Sequence, residues 1–333
     1  MMSSITLIHP DRRFSVAPMM DLTDRHFRYF FRLLCGQGLL YSEMVTAPAV
    51  THGDNERLLG FNGQEHPVAL QLGGSDPQQL AHAAALGEGF GYDEINLNCG
   101  CPSDRVQSGR IGACLMAEPE LVSDCLSAMQ DAVDIPVTVK CRVGIDRHDS
   151  DEELIRFLEV LYQGGCRVFI VHARKAWLQG LSPKENREIP PLRYESVYAV
   201  KEAFPDAEVL INGGITSVEA CKTHLQHVDG VMIGREAYYN PWAMRDILAS
   251  IYGEDAISVK TRRDWTRAYL DYIVARQAEG VPLSMLVRHL IPLYQGVRGA
   301  RQWRRTLSEG SRHTDDATAL VMSALQHLDE AAE

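Results

Sequence analysis

The feature that most constrains the fold is a series of eight short apolar runs, each followed by a helical pattern. In chain order the runs are 14–19, 39–45, 67–73, 94–98, 136–143, 167–173, 209–214 and 230–235. Several are continuously apolar rather than alternating, which is typical of parallel strands buried on both faces. Eight strand–helix units in about 240 residues match the number and size of a (β/α)8 barrel. The sequence therefore predicts an α/β fold, a TIM barrel, over most of its length.

The strand pattern stops after about residue 255, although helical patterns continue. One example is the spacing of Trp265, Tyr269, Tyr272 and Arg276. With 333 residues, 45% of them hydrophobic, the chain can bury more than one core. We therefore predict a barrel domain over residues 1–255 and a smaller, all-helical domain over residues 258–333.

The charge of the chain is unevenly distributed. The formal net charge of −11 argues against a nucleic-acid partner when it is taken alone. Between Lys260 and Arg312, however, eleven basic and four acidic side chains give +7, which leaves −18 for the rest of the chain. A basic module joined to an acidic one indicates a nucleic-acid partner, although a helical domain with solvated arginine faces would show the same pattern.

The N-terminal residues and the apolar runs do not indicate export or a membrane. No stretch approaches the roughly 18 apolar residues of a membrane span, and residues 1–10 lack the basic and apolar regions of a signal peptide. The eight cysteines have no regular spacing, so we expect reduced thiols. These observations predict a cytoplasmic protein.

Polar groups or glycines stand at seven of the eight predicted strand ends, where the strand interiors are aliphatic. In a barrel these ends converge on one mouth, where the chemistry of such folds takes place. The positions are 17–19 (Ala17, Pro18, Met19), Glu43, Gln71, Asn98 with Cys101, Lys140, His172, 212–214 (Asn212, Gly213, Gly214) and 234–235 (Gly234, Arg235).

The chemistry of these strand ends suits a flavin with a phosphate. The glycines after the seventh and eighth strands lie where barrels hold a phosphate on backbone N–H groups, and Arg235 can add a charge-assisted contact. Gln71, Lys140 and His172 suit the polar edges of a flavin ring, and Lys140 would stabilise negative charge on the reduced ring.

The fourth strand ends abruptly in Asn98-Cys99-Gly100-Cys101-Pro102-Ser103. Gly100 permits backbone angles that other residues avoid, and Pro102 fixes its own φ, so the turn leaves Cys101 at the mouth of the barrel. The alternative is that Cys101 is a small buried hydrophobic residue. Cys99, Cys101 and Cys114 do not complete a four-ligand set, and we predict no metal site.

Taken together, these motifs resemble those of the tRNA-dihydrouridine synthase family. The similarity rests on 17–19, 70–73, the Asn98–Ser103 turn, Lys140, 172–174, 212–214 and 234–235. It is greatest to the bacterial A-type enzymes, which modify D-loop positions 20 and 20a, through 73–77, 104–107 and 172–191. One departure is Cys99, where relatives usually have an apolar residue.

The resemblance implies FMN as cofactor, NADPH as reductant and reduction of the uridine C5–C6 double bond in tRNA. It implies that Cys101 donates the proton to C5, because a thiol of ordinary pKa is largely protonated at neutral pH. Asn98 would hold the uracil edge of a base unstacked from the tRNA. The positions similar to those that grip tRNA are Lys184, Arg187, Arg301 and Arg304; no protein partner is evident.

Two other functions fit parts of the sequence. An FMN barrel could act as a reductase or dehydrogenase of a free pyrimidine, although a small substrate does not need the basic C-terminal domain. A non-enzymatic RNA-binding protein could use a barrel as a scaffold, and such a protein would purify without flavin colour. Fold alone does not decide among these functions.

Overall fold

A closed barrel of eight parallel strands is the centre of the computed structural model, which describes residues 9–103 and 109–328. The strands follow one another around the barrel in chain order, and β1 pairs with β8 to close it. Their bounds are β1 Phe14–Val16, β2 Leu39–Thr46, β3 Val68–Gly73, β4 Glu94–Asn98, β5 Val137–Arg142, β6 Val168–His172, β7 Glu208–Asn212 and β8 Gly230–Ile233. The predicted (β/α)8 fold is confirmed.

Helices follow the strands and continue beyond the barrel. In the described residues the α-helices are Arg25–Arg32, Ala47–His52, Asn55–Leu59, Pro77–Gly89, Pro119–Gln130, Asp151–Gln163, Tyr194–Ala203, Val218–His224, Arg235–Tyr239, Met244–Tyr252, Arg262–Ala278, Leu283–Val287, Ala300–Gly310 and Ala317–Leu325. Asp24 and Ser150 cap the helices that follow them, as acceptors at helix N-termini usually do. None of the helices in the described part of the chain is both long and apolar enough to cross a membrane.

Apolar side chains fill part of the barrel interior. Leu39, Tyr41, Ile170, Leu210 and Met232 point inward from four strands and form one buried cluster. Such layers are characteristic of closed eight-stranded barrels, whose interior is a packed core and not a pore. The mouth at the C-terminal strand ends is therefore the open end at which a ligand can bind.

The helix Arg25–Arg32 packs with the C-terminal helices. Contacts divide the chain into one compact unit of Gly38–Gly234 with the segment ending at Thr23, and a second of Asp24–Gln37 with the segment beginning at Arg235. In the second unit Phe30 stacks on Trp265 at 4.3 Å between ring centroids, and the Trp265 Nε1–H donates to the Phe30 carbonyl at 2.7 Å. These units differ in extent from the domains expected at 1–255 and 258–333, whose separate functions stay a prediction.

Candidate active site

The turn after β4 holds Cys101 at the mouth of the barrel. The Asn98 side-chain oxygen accepts hydrogen bonds from the backbone N–H groups of Gly100 and Cys101, both at 3.0 Å. The Cys101 carbonyl accepts from the Ala113 N–H at 2.9 Å, which ties the turn to the next segment. The Cys101 side chain is partly exposed, whereas Cys99 is fully buried. Of the two thiols in this turn, only that of Cys101 can reach a ligand in the mouth.

The backbone at Gly100 does not adopt the unusual angles that its place in a Gly-Cys-Pro turn suggests. Its φ lies outside the left-handed region, and a Cβ there would meet backbone atoms of Lys140 and Cys141 only at 3.5 Å. The turn is instead fixed by the Asn98 side chain and by Arg142, whose Nε–H donates to the Gly100 carbonyl at 2.8 Å.

Arg142 is a site residue that the sequence analysis missed. Its guanidinium is buried, and it also donates to the carbonyls of Lys175 and Asn186, so it links the Cys101 turn to the long loop after β6. Burial lowers the pKa of Arg142 to about 10, the nearby Cys101 opposes that shift, and Arg187 adds to it. A signal was present, because Thr138, Lys140 and Arg142 alternate with apolar residues along β5 and so share one face.

Four of the predicted polar residues lie on four adjacent strands at the mouth. The register pairs Asn98 with Lys140 across β4 and β5, and His172 with Asn212 across β6 and β7. The Lys140 ammonium donates to the Asn212 side-chain oxygen at 3.1 Å, and the Asn212 amide donates to the Met232 carbonyl at 2.7 Å. The structure thus brings Asn98, Lys140, His172 and Asn212 together, as expected from the sequence.

Gln71 lies beside Asn98 and is almost completely buried. Its Oε1 accepts from the Asn98 amide at 2.8 Å, and its own amide donates to Asn96 at 2.8 Å. The Ser42 hydroxyl accepts from the Gln71 backbone N–H at 3.0 Å. The Gln71 side chain is therefore held in one orientation next to the residue that fixes the Cys101 turn.

The site is rich in positive charge. Burial, and after it the charge of Arg142, lower the pKa of Lys140 to about 8. The pKa of His172 is well below its ordinary value, first because of burial and then because of Arg142, Lys140 and Arg174. His172 is therefore neutral at physiological pH, and the cations around it favour an anionic ligand.

Two glycines after β7 form a close backbone approach to His172. Gly213 and Gly214 have φ of +122° and +68°, a region that side chains rarely occupy. A Cβ on Gly213 would lie 2.7 Å from the His172 ring, and one on Gly214 would lie 2.6 Å from Leu192. These positions therefore require glycine, and a glycine turn after a barrel strand is a place where backbone N–H groups can hold a phosphate.

The first and last strands meet at the predicted 17–19 and 234–235 positions. The Ala17 N–H donates to the Ile233 carbonyl at 2.8 Å, and Pro18 and Met19 are partly buried. A Cβ on Gly234 would lie 3.7 Å from both Ala17 Cβ and Met19 Sδ, an ordinary contact. Arg235 begins the helix Arg235–Tyr239 and is assigned to the second compact unit.

The four predicted tRNA-contacting residues are all exposed. Lys184 precedes a short 3-10 helix, Glu185–Arg187, in the loop after β6, and Arg187 is the last residue of that helix. The buried Asn186 anchors that loop, because its side chain accepts from the Trp177 N–H at 2.7 Å and donates to the Trp177 carbonyl at 2.9 Å. In the second unit, Arg301 and Arg304 project from the helix Ala300–Gly310 on either side of the buried Trp303.

Two further expectations concern metals and the segment after the turn. In residues 9–103 and 109–328, the His, Cys, Asp and Glu side chains do not form a group of three or more that could hold a metal ion. The matching motif at 104–107 (Asp104, Arg105, Val106, Gln107) lies outside the described residues.

Comparison with known proteins identifies the family of this chain. The family model described as Dihydrouridine synthase (Dus) matches residues 15–331, which include every strand end discussed above. The chain belongs to the dihydrouridine synthase family. The resemblance seen in the sequence is thereby confirmed, and with it the assignment of the chain to an enzyme family.

Similar members of the dihydrouridine synthase family are matched over nearly their full length. The chain is 56% identical to the tRNA-dihydrouridine(20/20a) synthase of Synechocystis sp., covering 94% of this chain and 93% of that protein. It is 55% identical to the enzyme of that name from Shewanella oneidensis (96% and 94% covered) and 54% identical to that from Vibrio cholerae (95% and 96% covered).

A solved structure confirms the barrel. The old yellow enzyme homologue NCR from Zymomonas mobilis has a TM-score of 0.52 and 11% identity, covering 76% of this chain and 92% of that chain. At this level of identity the likeness concerns the fold alone.

Proposed function

We propose that this protein is an FMN-dependent tRNA-dihydrouridine synthase that uses NADPH to reduce the C5–C6 double bond of uridine at D-loop positions 20 and 20a. The observation that carries the proposal is the Cys101 turn. A partly exposed thiol is fixed by Asn98 beside Lys140, Arg142 and His172, in a family whose similar members bear the name tRNA-dihydrouridine(20/20a) synthase.

The residues at the mouth fit FMN. The backbone at Gly213, Gly214 and Gly234, together with Arg235, would hold its phosphate, because glycine turns after barrel strands can offer backbone N–H groups and the nearby cations favour an anion. Gln71, Lys140 and His172 would hold the ring, with Ala17, Pro18 and Met19 beside it. When bound, FMN supplies the hydride that it takes from NADPH.

The role of Cys101 is to supply the proton. Reduction of the double bond adds a hydride at C6 and a proton at C5, so the pyrimidine gains two electrons and two hydrogens. The Cys101 S–H gives its proton to C5 and recovers it from water. Asn98 would hold a carbonyl of the uracil ring while its oxygen keeps the turn in place.

The basic surface residues would hold the tRNA. Lys184 and Arg187 on the loop after β6, and Arg301 and Arg304 on the C-terminal helices, are exposed and suited to phosphate contacts. The target uridine must leave the base stack to reach the thiol. We place this activity in the cytoplasm, where tRNA and NADPH are available.

A reconstituted reaction tests the proposal and its alternative together. The protein is incubated with FMN, NADPH and an unmodified tRNA transcript, or with free uridine, uracil or dihydroorotate. We expect dihydrouridine in the tRNA, found by mass spectrometry, and little turnover of the small pyrimidines. Turnover of a free pyrimidine without modification of tRNA would favour the small-molecule reductase, and a protein that binds no flavin would contradict both.

A further inference from the structure

A buried row of polar side chains lies inside the barrel below Cys101. Along β4 the residues Glu94, Asn96 and Asn98 face one way, and Gln71 on β3 and Thr138 on β5 lie beside them. All five are buried, and Glu94, Asn96 and Thr138 are completely so. We call these five residues the polar row.

The lower end of the polar row is a carboxylate that can only accept hydrogen bonds. Glu94 accepts from Arg12 at 2.6 Å, from the Tyr41 hydroxyl at 2.5 Å and from the Thr138 hydroxyl at 2.7 Å. Arg12 keeps its charge, because Glu94 and Glu208 outweigh the lowering of its pKa by burial. Burial and Glu94 raise the pKa of Tyr41, so its phenol keeps its proton and donates.

This end fixes the direction of every hydrogen bond above it. Because the Thr138 hydroxyl donates to Glu94, it accepts from the Asn96 nitrogen at 2.8 Å. The Asn96 oxygen then faces the Gln71 nitrogen at 2.8 Å, and the Gln71 oxygen faces the Asn98 nitrogen at 2.8 Å. The four bonds form a single chain of donors that runs from Asn98 to Glu94.

The upper end requires the same direction independently. The Asn98 oxygen accepts from the backbone N–H groups of Gly100 and Cys101, which can only donate. A flip of any one amide would place oxygen against oxygen and N–H against N–H. The orientation of each amide is therefore determined from both ends, in a buried setting where an unpaired polar group is costly.

We propose that Glu94, Thr138 and Asn96 are positioning residues that fix which polar atoms Gln71 and Asn98 present at the mouth. An amide nitrogen carries two hydrogens, and the row uses one from Asn98 and one from Gln71. Each amide therefore offers its second N–H to a carbonyl oxygen of the ligand. For Asn98, and resting on the proposed function, this donor suits a carbonyl of uracil and opposes the amino group of cytosine.

Replacement of the Thr138 hydroxyl tests this inference. Thr138→Val keeps the shape but removes the acceptor for Asn96, whereas the control Thr138→Ser keeps the hydroxyl. We expect Thr138→Val to weaken FMN binding to the flavin-free protein roughly 10-fold. We also expect faster alkylation of Cys101 by iodoacetamide, followed by peptide mass spectrometry. Thr138→Ser should match the wild type in both measurements.

The design separates positioning from general damage. Loss of stability would also expose the buried Cys125 and Cys221, whereas loss of the polar row should accelerate alkylation of Cys101 alone. If Thr138→Val and Thr138→Ser behave alike in both measurements, the inference is wrong. Should Thr138→Val not fold, Thr138→Ala also lacks the hydroxyl and is judged by the same two results.

Failure of the proposed function can be distinguished from failure of this inference. If the wild-type protein binds no FMN, the flavin assignment is wrong, while the alkylation rates still test whether the row holds the Cys101 turn. Selective acceleration at Cys101 in Thr138→Val but not in Thr138→Ser would then support the positioning role without the flavin.

Discussion

Two cysteines, two positions apart, have opposite environments in the turn after β4. Cys101 is partly exposed and Cys99 is completely buried. We predict that Cys101→Ala keeps bound FMN and its reduction by NADPH but lowers dihydrouridine formation by roughly 10²–10⁴-fold, as expected for loss of a general acid. Cys99→Val, the matched control, should leave dihydrouridine formation nearly unchanged. If Cys99→Val abolished tRNA reduction and Cys101→Ala did not, the proton donor would have been assigned to the wrong thiol.

Lys140 should make the stability of the flavin-free protein depend on pH. Burial lowers its pKa from 10.5 to about 8 in the folded state. Between these values the unfolded chain binds a proton that the folded chain does not, so raising the pH stabilises the fold. Between pH 8 and 10.5 the free energy of unfolding of the wild type should rise relative to Lys140→Met by up to about 3 kcal/mol. Urea unfolding at pH 7 and 9.5 measures this difference, and a constant difference would contradict the lowered pKa.

At the scale of elements, substitutions in the loops after β7 and β8 should distinguish the effect of backbone strain from the loss of a ligand contact. Gly213→Ala should lower both stability and FMN affinity, because its φ is positive and its Cβ would meet His172, at a cost of about 1–3 kcal/mol. Gly234→Ala makes only ordinary contacts with Ala17 and Met19, so it should fold normally and lose FMN affinity alone. Thermal unfolding and flavin fluorescence measure the two effects. Unchanged FMN affinity in Gly234→Ala would show that the phosphate does not bind at the end of β8.

The elements that could be predicted from the sequence are those with a local signal. Continuously apolar runs ending in polar residues predicted the strands and placed Lys140, His172 and Asn212 together. The alternation in β4 and β5 was also visible, but which face of a barrel strand points inward depends on tertiary packing, so the polar row and Arg142 were missed. Likewise, nothing local to Arg25–Arg32 indicates its packing against Trp265, which is more than 200 residues away in the sequence.

At the scale of the whole molecule, the distribution of charge predicts where tRNA binds. A segment of +7 contrasts with −18 elsewhere, so phosphate contacts should be concentrated on the basic residues. We predict that Arg301→Ala, Arg304→Ala and Lys184→Ala each weaken tRNA binding and lower the salt slope by about one per lost contact. Arg305→Ala is the matched control, because Arg305 lies on the same helix but pairs with Glu309 at 3.1 Å.

The measurement for these variants is tRNA affinity as a function of salt concentration. Reduction of the flavin by NADPH should be unchanged in all four variants, because none of these residues contacts the barrel mouth in the proposed function. Unchanged tRNA affinity in the first three variants, or an equal loss in Arg305→Ala, would place the RNA on another surface.

The central claim is that the Cys101 turn reduces uridine in the D-loop of tRNA. The most direct measurement is mass-spectrometric mapping of dihydrouridine in tRNA from cells that lack this protein, complemented with the wild type or with Cys101→Ala. We expect dihydrouridine at positions 20 and 20a to disappear, to return with the wild type and to stay absent with Cys101→Ala. Dihydrouridine that persists at both positions without the protein, or that returns fully with Cys101→Ala, would contradict the claim.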